Sequence, residues 1–169
     1  MILYPSIYLN NVKEITIELL KSNNIKGLLL DVDNTLIDFN HKILEGVSNW
    51  CEDLKREGIK LCILSNTNKI EKVKRVAKEL DLQYINFAKK PSKSGFKRAM
   101  KLLNLDAKNM AIAGDQIMTD VLGGNRMKMY TILTKPLDKK DIFITRVKRP
   151  LENMIIKSYL KKVGKGSER

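Results

Sequence analysis

Two cysteines and one histidine in 169 residues remove several kinds of chemistry at the outset. Cys51 and Cys62 form no CxxC pair, which excludes a disulfide scaffold, a four-cysteine zinc site and a haem-attachment motif. His41 has no second histidine with which to complete an HExxH zinc site. No apolar run approaches the ~20 residues that a membrane-spanning helix needs. The start, Met1-Ile2-Leu3-Tyr4-Pro5, lacks a basic segment followed by a long apolar stretch, so a signal peptide is not expected. There is no GxxxxGK[ST] motif and no GxGxxG after a strand, so the phosphate loop and the dinucleotide fingerprint are both missing. A reduced, cytoplasmic protein is the simplest expectation. Any catalysis should run on carboxylates, hydroxyls and lysines.

What is present is ordinary globular composition, 43% hydrophobic and 30% charged. At roughly 150 residues per domain the length suits one domain. Residues 1–156 are read as that domain and 157–169 as a basic tail, with Gly164-Lys165-Gly166-Ser167 marking a frayed end. The charge is unusual: 32 basic against 19 acidic residues, a balance of +13. The last 35 residues hold 11 of the basic and 4 of the acidic ones. Such a surface attracts polyanions, either nucleic acid or an anionic membrane at ~1 kcal/mol per nearby Lys or Arg. It equally suits a solvated surface that only aids solubility.

Short apolar runs alternate with amphipathic stretches. Val12, Ile15 and Leu19 predict a leading helix over 11–21. Leu28-Leu29-Leu30 is the first strand. Val47, Trp50, Cys51 and Leu54 mark a helix ended by Gly58, and a strand over 59–64 follows. Ile70, Val73, Ala77 and Leu80 mark the next helix, then a weaker strand over 84–87. Phe96, Ala99, Met100 and Leu103 form a helix stopping near Asn104, before a strand over 110–113. A short helix over 119–127 and a fifth strand over 130–133 complete the pattern. This alternation predicts a three-layer α/β/α fold around a five-stranded parallel sheet. Trp50 and Cys62 are read as core, His41 as solvent-facing, and Gly123-Gly124 as a close backbone approach or helix end.

In such a sheet the ligand crevice lies beyond the carboxyl ends of the strands. Three strands end in polar groups: Asp31-Val32-Asp33-Asn34-Thr35, Ser65-Asn66-Thr67, and Gly114-Asp115 followed by Asp120. Taken singly, each aspartate is a helix cap or turn residue. Together, Asp31, Asp33, Asp115 and Asp120 would repel unless a cation joined them, and an oxygen-only set points to Mg²⁺. Carboxylates, Mg²⁺, a hydroxyl and a lysine suit phosphoryl transfer.

These segments resemble the four motifs of the haloacid dehalogenase superfamily of phosphatases. Asp31-Val32-Asp33-Asn34-Thr35 is similar to its DxDxT motif, Leu64-Ser65-Asn66 to the second, Lys90-Pro91 to the third, and Gly114-Asp115 with Asp120 to the fourth. More narrowly, DVDNTL, LSNT, KKP and GDQIMTDVLGGNR resemble the YqeG family of subclass IIIA, related to the phosphatidylglycerophosphate phosphatases. The resemblance implies the strand order 5-4-1-2-3. It implies Asp31 as nucleophile and Mg²⁺ ligand, and Asp33 as general acid/base that lends its backbone carbonyl to the metal. Thr35 would support the loop, and Ser65 and the Asn66 amide would hold phosphate. Lys90, with Lys89 as the alternative, would neutralise the phosphate. Asp115 would bind Mg²⁺, with Asp120 in direct or water-mediated support.

Asp33 and Ser65 lie 32 residues apart, and Ser65 and Lys90 lie 25 apart. Neither gap can hold a folded cap domain. An open crevice cannot enclose a small metabolite, but it can reach a phosphate on a large surface. The first expectation is therefore a Mg²⁺-dependent phosphatase acting on a lipid headgroup, most naturally phosphatidylglycerophosphate, in peripheral contact with the inner face of an anionic membrane. The same chemistry on a nucleic-acid or protein phosphate is the alternative. A noncatalytic nucleic-acid-binding protein on the same shell is a third reading, with no nucleic-acid motif in its favour. Ile2-Leu3, Tyr4 and Tyr8 either enter a lipid interface beside the basic tail or, as the favoured reading, pack on the sheet. The sequence does not specify the oligomeric state.

Overall fold

The computed structural model describes residues 1–138 and 143–166. All five expected strands form within it: β2 (Gly27–Leu30), β3 (Lys60–Leu64), β4 (Gln83–Ile85), β5 (Met110–Gly114) and β6 (Tyr130–Thr134). They pair in parallel in the order β6-β5-β2-β3-β4, which is the expected 5-4-1-2-3. The sheet has six strands rather than five, because β1 (Ile7–Leu9) adds to the far side of β6. Three residues after a proline are too short to display an alternation. The pairing is recorded only across the fold: the Ser6 N–H bonds to Thr131 O at 2.8 Å, and the Thr131 N–H returns to Ser6 Oγ at 3.1 Å.

Alternation within the buried strands divides the core into two layers. Leu28, Leu30, Leu61 and Ile63 face α1 (Ile17–Ser22), α2 (Val47–Arg56) and α3 (Ile70–Glu79) through Leu20, Val47, Leu54 and Val73. Leu29, Cys62, Leu64 and Ile112 face α4 (Lys93–Leu103) through Phe96, Ala99 and Leu103. Cys51 and Cys62 are buried, as expected. Trp50 packs partly against the first layer, and its indole N–H donates to Ile15 O at 3.0 Å. His41 is exposed.

The leading helix is shorter than its periodicity predicts. A 3-10 turn covers Val12–Glu14, the chain extends through Ile15, and α1 begins only after Thr16. The Thr16 hydroxyl accepts the Leu19 N–H at 3.1 Å and starts a new helix there. Beyond β5, a π-type turn over Ile117–Val121 leads into α5 (Leu122–Arg126), two residues earlier than the apolar spacing suggests.

The last helix, α6 (Phe143–Gly166), runs through residue 156, and residues 167–169 lie outside the described residues. It packs where a lipid contact was one of the two expectations for the N-terminus. Leu3, Tyr4 and Tyr8 cluster with Ile117, Val121, Leu133 and Ile155. The Tyr4 ring meets Tyr159 edge-on at 5.8 Å, and its hydroxyl is 2.7 Å from Ser158 Oγ. These side chains pack on the protein, while Ile2 stays exposed. No helix among the described residues is long and apolar enough to cross a membrane.

Candidate active site

Because every strand runs the same way, β2, β3 and β5 deliver their polar ends to one edge of the sheet. The register places Leu30 beside Ala113 and Ile63, so the residues that follow are neighbours. Asp31 continues the ladder by donating its N–H to Ala113 O at 2.9 Å. Asp31, Asp115 and Asp120 are all buried, and each offers a carboxylate oxygen within 4.8 Å of the others.

Asp120 reaches this cluster from the turn after β5, and Gly114 makes the approach possible. A Cβ at Gly114 would sit 2.2 Å from Asp120 Oδ2. The same oxygen accepts the Gln116 N–H at 3.2 Å, which fixes the carboxylate over the strand end.

Lys90 enters from the opposite side. Its Nζ lies 2.7 Å from Asp31 Oδ1 and 2.6 Å from Asp120 Oδ1, fully withdrawn from solvent. Asn66 braces the backbone that carries it. Asn66 Oδ1 accepts the Lys90 N–H at 2.6 Å, and Asn66 Nδ2 donates to Lys90 O at 2.9 Å. Gly95 lets this loop close on α4, since a Cβ there would meet Ala88 O at 2.5 Å. Of the two lysines open from sequence, Lys90 is therefore the one in the cluster. Lys89 is exposed, with its ammonium 5.1 Å from the centre of the Phe87 ring.

Ser65 is buried at the end of β3, where its Oγ accepts the Thr67 N–H at 3.2 Å. Thr35 is buried under the first loop, with its N–H on Val32 O. The Asp33 carboxylate stands apart from the other three. It is 43% exposed and paired with Lys72 Nζ at 2.5 Å. Lys72 was not legible from sequence: it lies 39 residues away, on the first turn of α3. Its one signal is that α3 starts straight after the Ser65 loop, so its first turn must overlook the crevice.

The electrostatics follow from burial. Burial pushes the Asp31 carboxyl up to about 7, against the pull of Lys90 and with a further push from Asp120 and Asp33. Burial alone would lower Lys90, but the carboxylates of Asp120 and Asp31 outweigh it and hold the ammonium above the ordinary lysine value. Three buried carboxylates face one ammonium, an excess of negative charge in a set with only oxygen donors. That composition fits a hard divalent cation. Depressions at the opposite edge of the sheet, lined by Lys55, Lys60 and Asp81, gather no such cluster. There Lys60 is tied to Leu103 O and Lys55 to Leu80 O.

Comparison with known proteins agrees with this geometry. The profile of the haloacid dehalogenase-like hydrolases matches residues 40–128. The chain is 39% identical to the probable phosphatase YqeG of Bacillus subtilis over 95% of its own length and 92% of that protein's. It is 26% identical to a chloroplastic/mitochondrial phosphatidylglycerophosphate phosphatase 1 of Arabidopsis thaliana, over 94% of this chain and 48% of that one. Among solved structures, the cobalt-bound deoxy-D-mannose-octulosonate 8-phosphate phosphatase of Haemophilus influenzae shares the fold with a TM-score of 0.53 and 17% identity. That match covers 82% of this chain and 91% of the other. Fold, motif order and sequence likeness thus agree that the chain belongs to the haloacid dehalogenase-like hydrolases, as a phosphatase related to YqeG.

Proposed function

We propose that this phosphatase hydrolyses a phosphomonoester through an aspartyl-phosphate on Asp31, with Mg²⁺ as cofactor and phosphatidylglycerophosphate as substrate. The observation that carries the reading is Lys90, held at 2.7 Å from Asp31 and 2.6 Å from Asp120 inside the carboxylate cluster. An ammonium so placed keeps Asp31 oriented and offsets charge on an incoming phosphate.

Asp31, Asp115 and Asp120 would hold the Mg²⁺, with the backbone carbonyl of Asp33 as a further ligand; when bound, the ion neutralises charge on the phosphate oxygens. Asp31 attacks phosphorus, and the bond to the ester oxygen breaks. Asp33, outside the cluster and partly exposed, gives its proton to the leaving alcohol. It then takes a proton from water, whose oxygen attacks the acyl phosphate. Inorganic phosphate leaves, and the Asp31 carboxylate returns. Ser65 Oγ and the Asn66 backbone N–H hold phosphate oxygens, while the Asn66 side chain secures Lys90.

Two facts support a lipid substrate. The relative from Arabidopsis thaliana is named for phosphatidylglycerophosphate. Among the described residues no folded cap stands between β2 and β3 or between β3 and Lys90, which supports a site open to a large surface. Phosphate release should be measured with and without Mg²⁺ on phosphatidylglycerophosphate in mixed micelles, a phosphorylated oligonucleotide and a sugar phosphate. Release should be metal-dependent and fastest on the lipid. Faster release from the oligonucleotide would replace the lipid, and metal-independent release would remove the cofactor.

A further inference from the structure

Three large apolar side chains stand in water on the edge of the sheet that carries the site. Phe39 is in the loop after Asp33, Ile70 opens α3 just past the Ser65 loop, and Phe87 leads into Lys90; they are 51%, 37% and 51% exposed. Of the three, only Phe87 enters a contact described above, with the Lys89 ammonium 5.1 Å from its ring centre. The loops that carry the two rings are braced. The Arg75 guanidinium donates to His41 O, and Arg98 donates to Phe87 O at 3.1 Å. Phe87 and Lys89 both take left-handed backbone conformations, φ 49° and 56°, which bulky L residues rarely adopt. A strained, braced loop that holds an aromatic ring in solvent calls for a reason outside the fold.

The charge around these side chains is positive. Lys42, Lys69, Lys89 and Lys93 are exposed at this edge, with Glu45 exposed against them. Other acids nearby are engaged: Asp33 by Lys72, Glu71 by Lys74 at 3.3 Å, and Asp38 by the Lys42 N–H at 2.9 Å.

We propose that this edge docks on an anionic lipid bilayer. Phe39, Ile70 and Phe87 enter the headgroup boundary and the lysines meet lipid phosphates, which brings a membrane phosphomonoester to Asp31. The proposal rests on the phospholipid reading above and names the surface that serves it. Rings alone would also suit a single-stranded nucleic acid by stacking. Ile70 adds nothing to stacking, whereas two rings, an aliphatic group and flanking lysines match a membrane interface.

The full chain is sedimented with vesicles of phosphatidylcholine alone and of phosphatidylcholine mixed with phosphatidylglycerol. Wild-type protein should bind the mixed vesicles. The double variant Phe39→Ser/Phe87→Ser should bind them at least about tenfold more weakly, yet hydrolyse p-nitrophenyl phosphate at the wild-type rate. Leu102→Ser, which removes an exposed apolar group at the opposite edge, should bind like wild type. Absence of wild-type binding, unchanged binding by the double variant or an equal loss in Leu102→Ser overturns the proposal. So does phenylalanine-dependent binding to a phosphorylated oligonucleotide in place of vesicles. A Phe87→Trp protein gives an independent measure: brominated phosphatidylglycerol should quench it beyond the Trp50 signal of wild type, and no added quenching overturns the docking. Vesicle binding without hydrolysis of phosphatidylglycerophosphate would sink the substrate and leave the docking surface standing.

Discussion

The two edges of the sheet are built on opposite principles. At the amino edge one device recurs five times. The helices α1 to α5 each end in a residue with left-handed backbone: Asn24, Gly58, Asp81, Asn104 and Lys128. After each comes an apolar residue whose N–H reaches back five positions: Ile25 to Leu20, Ile59 to Leu54, Leu82 to Ala77, Leu105 to Met100 and Met129 to Gly124. This Schellman-type closure satisfies the last helical carbonyls and buries or half-buries an apolar anchor before the next strand. At the carboxyl edge nothing repeats. Each loop is individual, charges are buried, and left-handed residues such as Phe87 and Lys89 close no helix. One edge specifies the fold, while the other departs from local preference in order to hold chemistry.

Substitutions can break that contrast or sharpen it. The largest effect should come from Asp31→Asn, which should lower phosphate release at least about 10³-fold. Its thermal midpoint should stay level or rise, because one of three mutually repelling buried carboxylates is removed. Near-normal turnover would rule out Asp31 as nucleophile. Gly114→Ala should follow, with a loss of about 10²-fold in rate and ~1–3 kcal/mol in stability, since its Cβ would displace the Asp120 carboxylate. A wild-type rate would show that the position of Asp120 is immaterial. Lys72→Met should reduce kcat about tenfold with KM for an aryl phosphate little changed, and Lys72→Arg should recover much of it. An equal loss in both variants would mean that Lys72 is only structural.

At the amino edge the same kind of change should act on stability alone. Gly58→Ala should cost ~1 kcal/mol and Lys128→Gly should gain ~0.5–1 kcal/mol, because both positions need left-handed backbone. Activity per folded molecule should not move in either, and a drop in kcat would erase the division between the edges. The smallest effect concerns the thiols. Burial pushes Cys51 and Cys62 up to about 12, so both stay protonated in the folded protein at mildly alkaline pH. Their contribution to stability is complete below the ordinary thiol value and fades as pH rises from there towards about 12, because the unfolded chain ionises first. Iodoacetamide at mildly alkaline pH should therefore label them only after unfolding; rapid labelling of native protein would contradict their burial.

How much of this the sequence shows depends on how far apart the partners lie. The central strands are legible because Leu28-Leu29-Leu30 and Met110-Ala111-Ile112-Ala113 are buried on both faces, which leaves an unbroken apolar run. The cluster is legible in kind, since parallel strands must bring Asp31, Asp115 and Lys90 to one edge. That Lys90 rather than Lys89 lies in the cluster rests on a contact across 59 residues, which no local signal in the sequence marks. Lys72 and β1 escape for the same reason: Asp33 and Thr131, their partners, are distant, and neither segment advertises them locally. The break between Ile15 and Thr16 escapes because a capping hydroxyl and a distant indole outweigh a helical spacing that is genuinely present.

The three-residue strand β1 carries one last consequence. It screens β6, whose Tyr130–Thr134 backbone would otherwise offer a full rung of unpaired N–H and C=O groups to any extended chain. A flank this brief leaves little template for pairing with another chain, so removing residues 1–10 should bare the β6 edge and raise self-association, read by light scattering.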